Sequence, residues 1–272
     1  IEQRPGPSAR PRQNGGPPPS LRSVIMRMSC LFPFLFAALS GPVAAQSSLG
    51  LNFIEASADG NGDGTTSLRA TGDYRVTGNH GLQFNLSGYR AGSDLVAQVD
   101  GHLYMQPRAD AKYGVFLSVA DLNDRSGTIG IAGFEGMVAL DEATVASGRI
   151  SAGLAQPQGL DFVAVEAGLS RAIGPQGTLY GSVSLAAVDE ASLRTTAWAA
   201  EFGYARSITA TGFEVTAGIG ATGLSGAAGA DVSARISLTW RFGGDRGPRR
   251  TVGDRSFAAI RPLEPLLVRG IF

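Results

Sequence analysis

The 272-residue chain balances 23 basic against 23 acidic side chains, is 43% hydrophobic and only 17% charged, and holds 38 glycines. Without surplus positive charge there is nothing to neutralise phosphates, which excludes nucleic acid as a partner. Low charge with abundant glycine excludes coiled coil and long helix, and glycine without a three-residue period excludes collagen. Cys30 is the single cysteine, so no intrachain disulfide and no cysteine-built metal site can form.

Residues 1–25 are rich in Pro, Gly and Arg and lack any apolar period. Such a segment cannot bury enough surface to offset its ordering entropy, and it is predicted to be a disordered extension upstream of a start at Met26 or Met28. Residues 26–45 read as a signal peptide. Arg27 supplies the positive start, Cys30 to Leu39 the apolar run, and Val43-Ala44-Ala45 the small residues before cleavage at Gln46. Ten apolar residues are too few for a membrane-crossing helix. Loss of this segment leaves a mildly acidic body over 46–242 and a basic stretch over 243–272, the latter predicted to be a flexible tail.

From Leu49 to Phe242 the chain alternates with period two, the signature of strands with two unlike faces. About twelve runs are predicted, near 49–57, 66–77, 81–90, 94–106, 110–120, 128–140, 144–155, 160–170, 177–188, 195–206, 212–222 and 231–242. In the last, Val232, Ala234, Ile236, Leu238, Trp240 and Phe242 oppose Ser233, Arg235, Ser237, Thr239 and Arg241. The run at 128–140 is ambiguous, because Ile129 and Ile131 share phase with Glu135. Breaks such as Gly78-Asn79-His80-Gly81 and Gly174-Pro175-Gln176-Gly177 carry turn residues and leave no room for crossover helices. Asp59-Gly60-Asn61-Gly62-Asp63-Gly64 matches the start of a calcium loop. Its twelfth position is Ala70, where a bidentate Glu is required, so it is read as a turn.

A soluble sandwich and a transmembrane barrel share this alternation. Runs of about 10–13 residues exceed the usual ~5–6 of soluble strands and suit a tilted crossing of ~9–11. Tyr74, Tyr89, Tyr104, Tyr113, Tyr204, Trp240 and Phe242 near strand ends suit an interfacial girdle. The predicted fold is therefore all-β: an antiparallel up-and-down transmembrane β-barrel of about twelve strands, with outer-membrane lipid as a partner.

The inward phase collects the strand charges: Arg69, Asp73, Arg75, Asp100, His102, Lys112, Glu135, Arg149, Glu166, Glu201, Glu214, Arg235 and Arg241. These are the candidate pore-lining residues. Arg69, Arg75, Arg149, Arg235 and Arg241 are expected to face Glu135, Glu166, Glu201 and Glu214 across the lumen, a transverse field that filters small polar solutes. Two other readings stand beside this one. The charges could pair with one another and fill a plugged structural or adhesive barrel, whose turns at 58–65, 121–127, 189–194 and 223–230 are short for an adhesin. His102 with Asp100 could serve as base and orienter in a barrel hydrolase, although no GxSxG, HExxH or phosphate-loop motif is present. No cofactor is implied.

The signal peptide, the meander and the end strand Arg235-Ile-Ser-Leu-Thr-Trp-Arg-Phe242 resemble Gram-negative outer-membrane β-barrel proteins of the porin-like kind. The resemblance is at the level of the class and spans about 30–242. It implies an outer-membrane location, passive diffusion of small polar solutes and a terminal aromatic read by the barrel-assembly machinery; with only two histidines and no hydrolase motif, the chain is not expected to be an enzyme. Here the chain continues past Phe242 to a second terminal aromatic, Phe272.

Overall fold

The computed structural model describes residues 50–243, apart from 63, 93, 124–126, 158, 191–192, 209–210 and 228, together with residues 249–271. The predicted signal peptide and upstream extension lie outside the described residues.

Twelve strands follow one another in chain order. They are β1 (Gly50–Asn61), β2 (Thr66–Arg75), β3 (His80–Ala91), β4 (Asp94–Arg108), β5 (Ala111–Leu122), β6 (Gly127–Ala139), β7 (Thr144–Gln156), β8 (Leu160–Ile173), β9 (Gly177–Asp189), β10 (Arg194–Ile208), β11 (Phe213–Leu224) and β12 (Asp231–Gly243). Each pairs antiparallel with the next, and β1 pairs with β12 to close a barrel. Closure satisfies the ladder groups that an open edge would leave bare, which matters most where no water can replace them. Among the described residues no helix is long and apolar enough to cross a membrane. The strands, at 10 to 15 residues, are long enough to do so when tilted.

Gly50 and Gly243 lie at one end of the barrel, called proximal here. The β1–β2, β3–β4 and later odd-to-even connections lie at the other, distal end. Connections are short and self-capped. Asp141, between β6 and β7, accepts the N–H groups of Ala143 and Thr144 at 2.7 Å each. That bonding, Ala143 first, holds its carboxyl below the ordinary carboxylate range.

The outer surface is an apolar belt. Leu68, Phe134, Ile150, Val163, Phe202, Ile219 and Ile236 are all more than half exposed. Tyr74, Tyr113, Tyr204, Trp240 and Phe242 project outward near the proximal rim. Tyr89 and Tyr104, assigned above to the same girdle, instead point inward and are 3% exposed. The Tyr104 hydroxyl donates to Asp73 at 2.8 Å, and Tyr89 lies under the Arg261 guanidinium at 4.1 Å, so each ring answers to a lumenal charge.

Residues 249–271 do not form the flexible tail expected from their Pro and Arg content. They re-enter the barrel from the proximal end, cross the lumen and finish in the short helix α1 (Glu264–Val268) at the distal end. The reason is apolar. In the distal half the inward phase is not polar: Phe116, Leu122, Ile129, Ile131, Leu160, Phe162 and Val188 form a core with Ile260, Leu263, Leu266 and Leu267. Each of these larger side chains contributes about 1.5–3 kcal/mol when fully removed from water. The core also resolves the β6 ambiguity. Ile129 and Ile131 face the same interior as Glu135, but under the C-terminal helix. Gly92, in the β3–β4 turn, holds φ +61°, and a Cβ there would lie 3.1 Å from the Val268 carbonyl oxygen. Turn and helix are therefore fitted to each other at a position that favours glycine.

A hydrogen-bonded cylinder without an edge resists detergent. Unheated protein is expected to run faster on an SDS gel than boiled protein, and equal mobility would contradict the closed barrel.

Candidate functional site

The lumen is built from inward side chains on twelve strands and from the segment threaded through it. All thirteen sequence-predicted residues point into this space, but they divide into two sets. Asp73, Arg75, Asp100, His102 and Lys112, on β2, β4 and β5, lie in the wall against which the C-terminal segment is packed or beside its proximal entry. Glu214 and Arg241 flank the same entry. Arg69, Glu135, Arg149, Glu166, Glu201 and Arg235 border an open cavity of about 520 Å³ on the other side.

The packed wall holds the segment by its backbone. Gln83 makes a two-way pair with Phe257, donating to its carbonyl at 2.9 Å and accepting its N–H at 2.8 Å. Lys112 donates to the Arg255 carbonyl at 3.1 Å and Gln98 to the Ile260 carbonyl at 2.7 Å. Arg149 reaches the Ala258 carbonyl at 2.8 Å from the opposite side. An extended chain inside a barrel has no strand to pair with, so side chains complete its hydrogen bonds.

Beneath the segment lies a buried ionic network. Asp73 accepts from Tyr104, from Asn52 at 3.1 Å and from Lys112 at 3.4 Å. The Lys112 ammonium also sits over the Tyr104 ring at 3.9 Å and the Phe257 ring at 4.7 Å. Lys112 is 1% exposed, and burial of such a cation is tolerable only with partners of this kind.

His102 does not form the expected pair with Asp100. Its Nδ1 meets Glu135, its Nε2 lies 2.9 Å from the Asn85 amide nitrogen, and its ring stacks on Phe257 at 5.5 Å. Asp100 instead accepts from Ser118 at 2.6 Å and Gln98 at 2.7 Å. Glu135 reaches His102 from β6 across β5, where Gly114, the residue opposite Glu135, has no side chain to intervene. At 1% exposure His102 has no face to offer a substrate.

The arrangement of charges also differs from the expected opposition of two walls. Glu135, Arg149 and Glu166 are direct cross-strand neighbours on β6, β7 and β8, and Arg149 bonds to both carboxylates at 3.0 and 3.2 Å. Glu55 and Arg241 are likewise opposite on β1 and β12, 2.8 Å apart. Arg235 reaches one strand further, to Glu201 at 3.1 Å, and also donates to Asn61 at 3.0 Å. Register places opposite charges side by side, which is closer than any pairing across a lumen that already holds a chain.

Several participants were not singled out from the sequence. Glu55 shares phase with Phe53 and Ser57, so its inward position was readable. It anchors Arg241, accepts from Ser256 at 3.0 Å and pairs with Arg249 at 3.1 Å. Arg249 also meets Glu214 at 3.5 Å. Asp59 and Asn61, taken above as part of a turn, border the cavity. Asp59 accepts from Ser67 at 2.6 Å, and Asn61 accepts from Arg235; Asp63 lies outside the described residues. Among the described residues no group of His, Cys, Asp and Glu is placed to hold a metal ion.

The cavity runs beside the C-terminal segment along β6 to β12. Its lining extends from Val145, Ser170 and Arg255 toward the proximal end to Asn61, Thr222 and Asp231 at the distal end. Ser147, Ser182, Ser184 and Ser233 add hydroxyls between the ion pairs. A closed cylinder of twelve antiparallel strands, apolar outside and hydroxylic and charged on this inner wall, defines a barrel of the transmembrane class.

Comparison with solved structures agrees. The NanC porin superposes with a TM-score of 0.55 over 69% of this chain and 98% of its own, at 9% identity. An outer membrane channel from Pseudomonas putida F1 superposes with a TM-score of 0.54 over 74% of this chain and 98% of its own, at 11% identity. Identities this low establish the shared fold. No protein-family model matches the sequence, and no curated protein matches it significantly.

Proposed function

We propose that the chain is an outer-membrane, porin-like channel through which small polar solutes diffuse passively, along the passage left open beside the C-terminal segment. The observation that carries this reading is the cavity of about 520 Å³ bordered by residues from both ends of the barrel. Its scale suits molecules of a few to about twenty heavy atoms, comparable to ordinary small-molecule sites. Alternating Arg–carboxylate pairs and serine hydroxyls give such solutes hydrogen bonds at every level without a deep binding minimum, which is what throughput requires. The two structural neighbours, named a porin and an outer membrane channel, are proteins of the same kind of task.

In this reading the apolar belt contacts outer-membrane lipid, and the even strand count puts the proximal end on the periplasmic side. Phe242, exposed at the end of β12, is the aromatic offered to the barrel-assembly machinery. An enzymatic role finds no support at His102, which is sealed under the threaded segment.

The test is single-channel recording of refolded 46–272 in a planar bilayer under a salt gradient. Discrete small current steps with a reproducible reversal potential are expected. Insertion without steps would overturn the passage and leave a plugged structural barrel.

A further inference from the structure

The strands alone make an acidic lumen. Glu55, Asp59, Asp73, Asp100, Glu135, Glu166, Glu201 and Glu214 face inward against Arg69, Arg75, Lys112, Arg149, Arg235 and Arg241. The threaded segment has the opposite balance, with five arginines and two acids between 249 and 271. Its arginines are not spread at random. Arg249 sits between Glu55 and Glu214, and Arg269 pairs with Asp231 at the distal rim. Arg255 and Arg261 border the cavity itself.

These last two are bound as Arg69 of the wall is, by hydroxyls: Arg69 donates to Ser57 Oγ at 3.4 Å. Arg149 and Arg235 are held by carboxylates. Arg255 bonds to a neutral hydroxyl, Ser170 Oγ at 2.6 Å, and its Nε and Nη2 have no protein partner. Arg261 touches Ser67 Oγ at 3.4 Å, lies over the Tyr89 ring, and its Nε has no protein partner. Along the passage Glu135, Glu166 and Glu201 are each committed to an arginine and Asp59 accepts from Ser67, while the segment adds Arg255 and Arg261, bonded to hydroxyls, against one acid, Glu264. The unpartnered nitrogens are themselves enclosed by protein, so it is the positive charge of Arg255 and Arg261 at the edge of the passage that draws a carboxylate or a phosphate.

The segment is also built to stay. Phe257, Ile260, Leu263, Leu266 and Leu267 are each 2% exposed or less. It is a fixed wall of the lumen, not a strand of chain passing by.

We infer that the C-terminal segment is the selectivity element of the channel: Arg255 and Arg261 turn an acidic, cation-preferring barrel into a narrow passage that favours small solutes bearing a carboxylate or another anionic group. The inference rests on the passage proposed above and adds to it the identity of the filter. Wide barrels with one sign of lumenal charge select by that charge, and a segment that changes both width and sign changes both conductance and selectivity.

The experiment compares three proteins in planar bilayers under a potassium chloride gradient: the full chain, the full-length Arg255→Gln/Arg261→Gln variant, and a chain ended after Gly243. Neither substitution removes a carboxylate's partner, so the double variant keeps the ion pairs intact. The full chain is expected to show a reversal potential on the anion side. The double variant is expected to shift it toward cations by about a threefold change in permeability ratio, at nearly unchanged conductance. The shortened chain is expected to be cation-selective, with conductance raised by about threefold or more. If the shortened chain does not fold, the double variant decides alone. Wild-type channels whose selectivity the double variant leaves untouched would overturn the filter and leave the passage standing. A silent full chain beside a conducting shortened chain would overturn the passage, and the filter with it.

Discussion

Leu266→Asp is expected to release the C-terminal segment from the lumen while leaving the barrel closed. Leu266 is fully buried among Leu263, Leu267 and the inward side chains of the distal strands. Shortening such a leucine to alanine costs about 2–5 kcal/mol. A carboxylate in its place must be desolvated without any partner, a penalty of several kcal/mol more unless the group takes up a proton. The cylinder does not depend on this contact, because its ladder runs unbroken through the β1–β12 pairing. The measurable consequence is limited trypsin digestion of the folded protein. Cleavage after Arg249, Arg255 and Arg269 should become rapid in the variant and remain slow in the wild type, while the heat-dependent gel shift persists in both. Equal protection would mean that the distal core does not hold the segment. Loss of the gel shift would mean that the segment is needed for closure.

The second large effect concerns Lys112. Lys112→Met removes the cation that faces Asp73 and the donor to the Arg255 carbonyl. Asp73 is 0% exposed, so the variant leaves a buried carboxylate whose remaining donors, Tyr104 and Asn52, are neutral. Breaking a buried pair from one side costs about 3–5 kcal/mol. In chemical unfolding the midpoint should drop accordingly. Adding Asp73→Asn should recover part of the loss, because the orphaned charge goes with it, and the coupling between the two sites should be about 1–3 kcal/mol. Strictly additive losses would show that the two groups do not act as a pair.

The barrel was legible in the sequence because a meander needs only local information. Alternation gives each strand its two faces, and turn residues such as Gly174-Pro175 give its limits; β4, β8 and β12 begin where the pattern says they do. The inward set was legible for the same reason, since one phase of each strand must share one side. Partnerships within that set were not. Whether Arg149 faces Glu166 from across a lumen or from the next strand depends on register, and register depends on turn geometry that composition does not specify. The threaded segment was the largest departure. Pro262 and Pro265 argue correctly against a strand, and six arginines after Phe242 argue correctly for a polar setting, but neither says that the setting is the barrel's own interior. One signal pointed there. In β6 and β8 the inward phase turns apolar toward the distal end, with Ile129 and Ile131, then Leu160 and Phe162, on the face that elsewhere carries Glu135 and Glu166. An interior apolar patch in a water-filled barrel needs a cover, and Ile260, Leu263, Leu266 and Leu267 are among the apolar residues that remained unassigned.

Twelve strands bring Gly243 back to the rim from which Gly50 departs, but the threaded segment adds one more traverse and carries Ile271 to the other rim. An odd number of crossings puts the two ends of the folded polypeptide on opposite faces. An epitope grafted before residue 50 and one grafted behind residue 271 would therefore be read by antibodies from different sides of the same membrane. A cargo joined to the C-terminal side would be displayed at the distal surface, through a barrel whose strand count alone would have assigned it to the proximal compartment.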